Sequence, residues 1–303
     1  MLETAIRPDV ERIRAGVRTA LLTARNPDGG WAYARGKGSR LEPTCWALLA
    51  LAQADGQEPD VDVLRRWSQR GGWLADVAGV PPNHAFNALA ALTLLQTGQT
   101  VSQAQALGAR LVESKGMQAP QMKELRQDNS LQGWSWIDGT FSWVEPTAWC
   151  LLFLKKLRSR GSSRLPGADE RIDVGERLLL DRACDVGGWN YGNSNVYGQE
   201  LWPYVPTTAL ALLAMQDRRE HPVVEKSLQQ LQRDVRTERS AVALALSIIC
   251  WRVYGLAPDV LVGDLLDLST DSGPMASQAD DLLGLAMTLY ALVDARAAAL
   301  FTL

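Results

Sequence analysis

Gly-Trp turns recur along this chain with a helix start behind each of them, and that repeat constrains the fold more than any other feature. The four copies are "DGGW" ending at Trp31, "RGGW" at Trp73, "LQGW" at Trp134 and "VGGW" at Trp189. Behind them come "LEPTCWALLALAQ", "VPPNHAFNALAALTLLQ", "VEPTAWCLLFLKK" and "VPTTALALLAMQ". An amphipathic stretch such as "VERIRAGVRTALLTAR" or "DVGERLLLDRA" precedes the turns. The unit reads helix, Gly-Trp turn, loop, helix. Glycine lets the chain leave right-handed backbone space, and a large indole supplies buried area between hairpins. Pro43-Thr44, Pro146-Thr147 and Pro206-Thr207 suit a helix start, where a missing N–H is harmless and a hydroxyl can cap.

Two further helix pairs lack the tryptophan: "VVEKSLQQLQRDV" with "TERSAVALALSIICWRVYG", and "PDVLVGDLLDL" with "MASQADDLLGLAMTLYALV". No stretch shows the strict alternation of a strand, so the class is all-α, with six helical hairpins in a single domain over 1–303. The second helix of each hairpin is apolar nearly all round and is expected to be buried on several sides, whereas the first carries a polar stripe. That alternation predicts an inner and an outer ring of helices. An open solenoid is the competing arrangement.

Composition narrows the partners. With 31 basic and 34 acidic residues there is no cationic excess for a nucleic-acid surface. The four cysteines are far apart and three lie in apolar helical runs, so they read as reduced thiols of a cytoplasmic protein. The segment "MLETAIRPDVERIRAG" lacks the apolar core of a signal peptide. No apolar run reaches the ~20 residues of a membrane span. Peripheral contact with a membrane and a protein partner stay open.

The Gly-Gly-Trp turns followed by "EPTAW" or "VPTTA" resemble the repeats of the squalene cyclase and protein prenyltransferase superfamily, from Asn26 to Gln216 and more weakly to Ala291. The resemblance implies an (α/α)6 toroid whose inner helices line a central apolar cavity holding an isoprenoid. Cyclases of this kind protonate an alkene with an acidic Asp-Asp-Thr-Ala motif at an inner-helix start. Carried onto this chain, the acid falls on Glu145 in "VEPTAW", with Glu42 in "LEPTCW" and Glu238 in "TERSAV" at the matching places; Pro146 stands where the motif has its last aspartate. Glutamate at a helix start also has a plain role beside the positive end of the helix dipole.

Protein prenyltransferases hold zinc with Asp, Cys and His near inner-helix starts. Glu42, Cys45 and His84 are the residues here that could imitate that set, but no Asp-x-Cys is present, and the expectation is no metal and no cofactor. Asp280-Asp281 in the sixth repeat is a further acidic candidate. Trp46 and Trp149, one turn into inner helices, are expected to form cavity wall. His84, Trp143, Tyr197, Trp202 and Asp280 complete the expected ligand-contacting set. The loop "NYGNSNVYGQELWPY" is expected to make one lip of the site.

The leading reading is a squalene-cyclase- or prenyltransferase-like protein that binds an isoprenoid or related lipid, and that would act, if catalytic, through a glutamate general acid. Two alternatives stand beside it: a non-catalytic toroid serving as lipid carrier or interaction module, and a prenyltransferase β-like subunit with an α partner.

Overall fold

The computed structural model describes residues 8–67, 71–77, 79–96, 100–122, 126–161, 165–269, 280–293 and 299–303. Twelve α-helices occur among them: α1 (Pro8–Thr23), α2 (Leu41–Asp55), α3 (Asp62–Arg66), α4 (His84–Leu94), α5 (Val101–Glu113), α6 (Val144–Ser159), α7 (Ala168–Asp181), α8 (Val205–Ala214), α9 (Pro222–Asp234), α10 (Ala241–Val253), α11 (Asp259–Leu268) and α12 (Leu282–Leu292). The even-numbered helices pack side by side in sequence order, and α12 returns to pack on α2. The ring is therefore closed, and the open solenoid is excluded. Helices α5, α7, α9 and α11 lie outside, each against the inner helix before it, and α1 lies against α12. The described sheet is one short antiparallel hairpin, β1 (Asn195–Val196) and β2 (Gln199–Glu200), in the fourth loop.

The two rings follow from side-chain pattern. In α5 the buried residues Ala104, Leu107, Gly108 and Leu111 form one stripe, as helical spacing requires. In α6 every residue from Pro146 to Leu157 is buried, because its neighbours cover all its faces. None of the described helices is long and apolar enough to cross a membrane.

The Gly-Trp turn works as a clamp. The Trp31, Trp134 and Trp189 side chains are buried, and their indole N–H groups donate to Leu21 O, Leu111 O and Leu179 O near the ends of the preceding outer helices, at 2.8, 2.7 and 2.6 Å. Their backbone N–H groups donate to Thr44, Thr147 and Thr208 Oγ1 at 2.9, 3.0 and 2.9 Å. Those hydroxyls therefore do not cap their own helices, as the sequence suggested; they tie the inner helix to the turn. The side chains that do cap inner helices belong to Asn83, Ser240 and Asp281.

Two register assignments change. In the fourth repeat the clamp residue is Thr208, not Thr207. In the second repeat Leu74, not Trp73, takes the buried place, and Asn87 replaces the threonine by accepting from Leu74 N at 2.9 Å and donating to Leu74 O at 3.2 Å. Trp73 instead stacks on His84 at 5.4 Å. Gly187 and Gly188 have φ of 92° and 78°. A Cβ at Gly188 would lie 2.8 Å from Thr208 Oγ1, so glycine is needed where the clamp hydroxyl approaches.

Candidate functional site

The inner-helix N-termini and the Gly-Trp loops share one face of the ring. Glu42 and Glu145 are the second residues of α2 and α6, with α4 between those helices. Both are only partly accessible to solvent, and both titrate as desolvated groups. A carboxyl that water reaches but protein surrounds lies in a recess.

Burial raises the Glu42 carboxyl to about 7. The Tyr33 hydroxyl, donating to Glu42 Oε2 at 2.6 Å, opposes that rise; Asp76 adds to it and Arg40 subtracts from it. Arg40 pairs with Asp76 and lies over the Tyr33 ring at 5.5 Å, while Asp76 also accepts from Leu41 N at 2.9 Å. The Glu145 carboxyl is also raised to about 7, first by burial and then by the charge on Glu42, against a hydrogen bond with Trp149. The two glutamates are thus close enough to feel one another, and among the described residues the one cation acting on either is the Arg40 already paired to Asp76.

Beneath the carboxyls the lumen is aromatic. Trp46 lies 6.1 Å from Trp149, 5.6 Å from Tyr290 and 5.7 Å from Phe301, ring centre to ring centre. These side chains come from α2, α6, α12 and the segment 299–303, and Trp46, Tyr290 and Phe301 are fully buried. Trp46 and Trp149 face each other across the lumen, and both pack on Phe301. The wide central cavity that the resemblance implied is filled at this level.

Other expected residues do not join this recess. Glu238 lies ahead of α10, outside the helix, and its carboxylate accepts from Arg239 N and Ser240 N at 2.7 and 2.9 Å. It is not the counterpart of Glu42 and Glu145, because Ser240 starts the helix two residues later. His84 is buried, with Nδ1 2.9 Å from Ser135 O and Nε2 3.3 Å from Asp138, and burial lowers its proton affinity. Cys45 hydrogen-bonds Thr93, nine residues beyond His84 on α4 and roughly 13 Å along the axis at about 1.5 Å per residue. The trio Glu42, Cys45 and His84 therefore does not converge. Among the described residues, no group of three or more His, Cys, Asp and Glu side chains could hold a metal ion. Asp280 is exposed, 3.8 Å from Arg35, and Asp281 caps α12 through Gly284 N at 2.9 Å.

Two clefts open on the same face. One, of about 940 Å³, is lined by Tyr33, Arg40, Asp76, Arg66, Trp67 and neighbours, and reaches the polar partners of Glu42. The other, of about 790 Å³, lies between the third and fourth loops and is lined by Met117, Phe141, Trp143, Tyr191, Trp202 and Tyr204 among others. Trp143 and Trp202 thus belong to a cleft wall outside the recess, whereas Tyr197, 77% exposed at the tip of the β1–β2 hairpin, lines neither cleft. Trp143 precedes α6 directly, so this second wall adjoins the helix start that carries Glu145. Tyr33, Arg40, Asp76, Tyr290 and Phe301 were not singled out from the sequence; Tyr33 and Asp76 stand two residues after the buried clamp residues Trp31 and Leu74, a place taken by Trp136 and Tyr191 in the other turns, so the repeat marks the place but the residue types there differ.

No protein-family pattern matches the chain, and no curated protein matches it by sequence. Solved structures do match. The apo type II terpene cyclase MstE from Scytonema superposes with a TM-score of 0.57 at 16% identity, covering 96% of this chain and 98% of that one. The chain has the (α/α)6 toroid fold. The endo-β-1,4-glucanase CMCax from Acetobacter xylinum matches with a TM-score of 0.57 at 14% identity, over 95% and 98% of the two chains. The family 76 glycoside hydrolase (mannosidase) Bt3792 from Bacteroides thetaiotaomicron matches at 0.55 and 12%, over 93% and 97%. The likeness thus extends across toroid enzymes and does not single out squalene cyclases.

Proposed function

We propose that this toroid binds a prenylated or similar hydrophobic small molecule at the recess and acts on it by acid–base chemistry through Glu42 and Glu145. The observation that carries the reading is the carboxyl pair: two glutamates raised to about 7, one of them feeling the other's charge, above an aromatic floor. Two such groups in one recess resist double ionisation, so near neutral pH the pair tends to hold one proton. One carboxyl can then donate while the other accepts. Aromatic faces below suit an apolar ligand and stabilise positive charge developing on it.

A carboxyl titrating near 7 is a weak acid for an isolated alkene and a suitable one for a polarised acceptor. The reading therefore specifies an oxygen function on the hydrophobic molecule as the protonated group. MstE, described in complex with geranylgeranyl dihydroxybenzoate, lends the substrate class. The glycoside hydrolases among the structural neighbours, together with Asn129, Asn190 and aromatic side chains in the second cleft, favour a second reading in which the accepting oxygen is glycosidic.

A panel of geranylgeranyl dihydroxybenzoate, epoxysqualene, cello-oligosaccharides and mannotriose, followed by mass spectrometry of products, separates these readings. Conversion of a prenylated member, reduced about 100-fold or more in Glu145→Gln, is the expected result. Turnover undiminished in both Glu145→Gln and Glu42→Gln would remove the pair from the chemistry.

A further inference from the structure

The lumen is closed from below by the chain itself. Segment 299–303 reaches the C-terminal ends of the inner helices, where Lys156 on α6 donates to Ala299 O at 2.8 Å and also to Thr302 O. Gln216, just past α8, donates to Phe301 O at 2.7 Å and accepts from Leu303 N at 3.0 Å. These ties join backbone groups to two side chains. From that anchorage Phe301 enters the ring and touches Trp46, Trp149 and Tyr290 at 5.7, 6.3 and 5.7 Å.

Three ring helices thus supply aromatic walls around Phe301, Trp46 from α2, Trp149 from α6 and Tyr290 from α12. The ring does not need the segment for closure, because α12 packs on α2 directly. The end of α12 is held separately as well: Arg252 donates to Ala291 O and Val293 O at 2.7 and 3.0 Å.

We propose that the lumen below Glu42 and Glu145 is a hydrocarbon-binding chamber whose resident occupant is Phe301, so that segment 299–303 and the hydrocarbon part of a ligand compete for it. The proposal rests on the acid–base reading for the identity of the natural ligand, but not for the existence of the chamber. Withdrawal of the segment exposes the buried Leu300 and Phe301 side chains and exchanges its hydrogen bonds for water, and it leaves an apolar space of at least one benzene ring, a kind of cavity that stays dry and accepts small hydrocarbons, so a ligand must refill that space to offset the loss. A prenyl chain entering from the carboxyl face would take the same place.

The test uses the full chain and two probes. Calorimetry with benzene compares the wild type with Phe301→Ala, and with Phe301→Leu as a milder variant. The expected result is benzene binding at least tenfold tighter in Phe301→Ala, with Phe301→Leu between the two. Equal affinity in all three proteins overturns the chamber. In the second arm geranylgeraniol is added to the wild type, its binding followed by tryptophan fluorescence, and hydrogen exchange is read at the Leu303 amide. Competition predicts exchange at least tenfold faster with ligand bound; bound ligand with unchanged exchange overturns it. If geranylgeraniol binds none of the proteins while benzene separates them, the chamber stands and the prenyl reading of the site falls.

Discussion

Helix α6 carries an ionisable side chain toward each end, and the fold treats the two ends in opposite ways. Near the N-terminus, Glu145 shares its recess with a second glutamate and no free cation, and its carboxyl is pushed up to about 7. Toward the C-terminus, buried Lys155 lies 2.7 Å from Glu176 and 2.5 Å from Asp217, and also donates to Ala214 O at 2.8 Å. Burial alone would raise Glu176 too, yet hydrogen bonds from Arg218 and Lys155 hold it below the ordinary glutamate range. A buried glutamate with cations at hand fastens helices together. A buried glutamate beside another carboxyl is left with a proton it can exchange.

The contrast breaks most visibly at the paired end. Lys155→Met leaves Glu176 with Arg218 alone and Asp217 with only the 3.9 Å contact to Arg158, and urea unfolding should show a loss of about 3 kcal/mol. Adding Glu176→Leu and Asp217→Asn should recover much of it. At the other end, Thr147→Val takes the acceptor from the buried Trp134 N–H and should cost about 1–2 kcal/mol, with the recess disturbed because Glu145 is two residues away.

The pH dependence is a gentler probe. Glu42 and Glu145 hold protons in the folded chain up to about 7, while the unfolded chain releases them near the ordinary value of 4.5. Over that window the folded state binds more protons than the unfolded one, so these two groups make stability fall as pH rises, and they add no slope above it. Melting curves of Glu145→Gln across this range should slope less than those of the wild type. Glu238→Gln should change stability by no more than about 0.5 kcal/mol, because its carboxylate accepts from the local backbone N–H groups of Arg239 and Ser240.

Much of the frame was legible because it repeats. The Gly-Trp turns and Pro-Thr starts marked inner helices, and Glu42 and Glu145 stood out by sharing one repeat position. Trp73 misled because a Gly-Gly-Trp string looks alike whether the indole or the next side chain is buried; only the pairing of Asn87 with Leu74 decides it. Glu238 misled because an acid shortly before an apolar run can lie in the helix or ahead of it. Tyr33, Asp76 and Phe301 were silent for another reason. Tyr33 matters through Glu42, nine residues on across a loop, and Asp76 and Phe301 through partners far along the chain, and residue type alone does not encode those pairings.

The clamp between turn and inner helix spans 13 residues in the first three repeats and 19 in the fourth, with the Trp189 N–H to Thr208 bond as short as its counterparts. Loop length is thereby uncoupled from the framework. The surplus chain in the fourth repeat leaves the ring as the β1–β2 hairpin and builds a wall of the second cleft. A scaffold wired this way accepts grafted segments between clamp partners, so the rim of the toroid is a set of interchangeable cassettes mounted on an invariant frame.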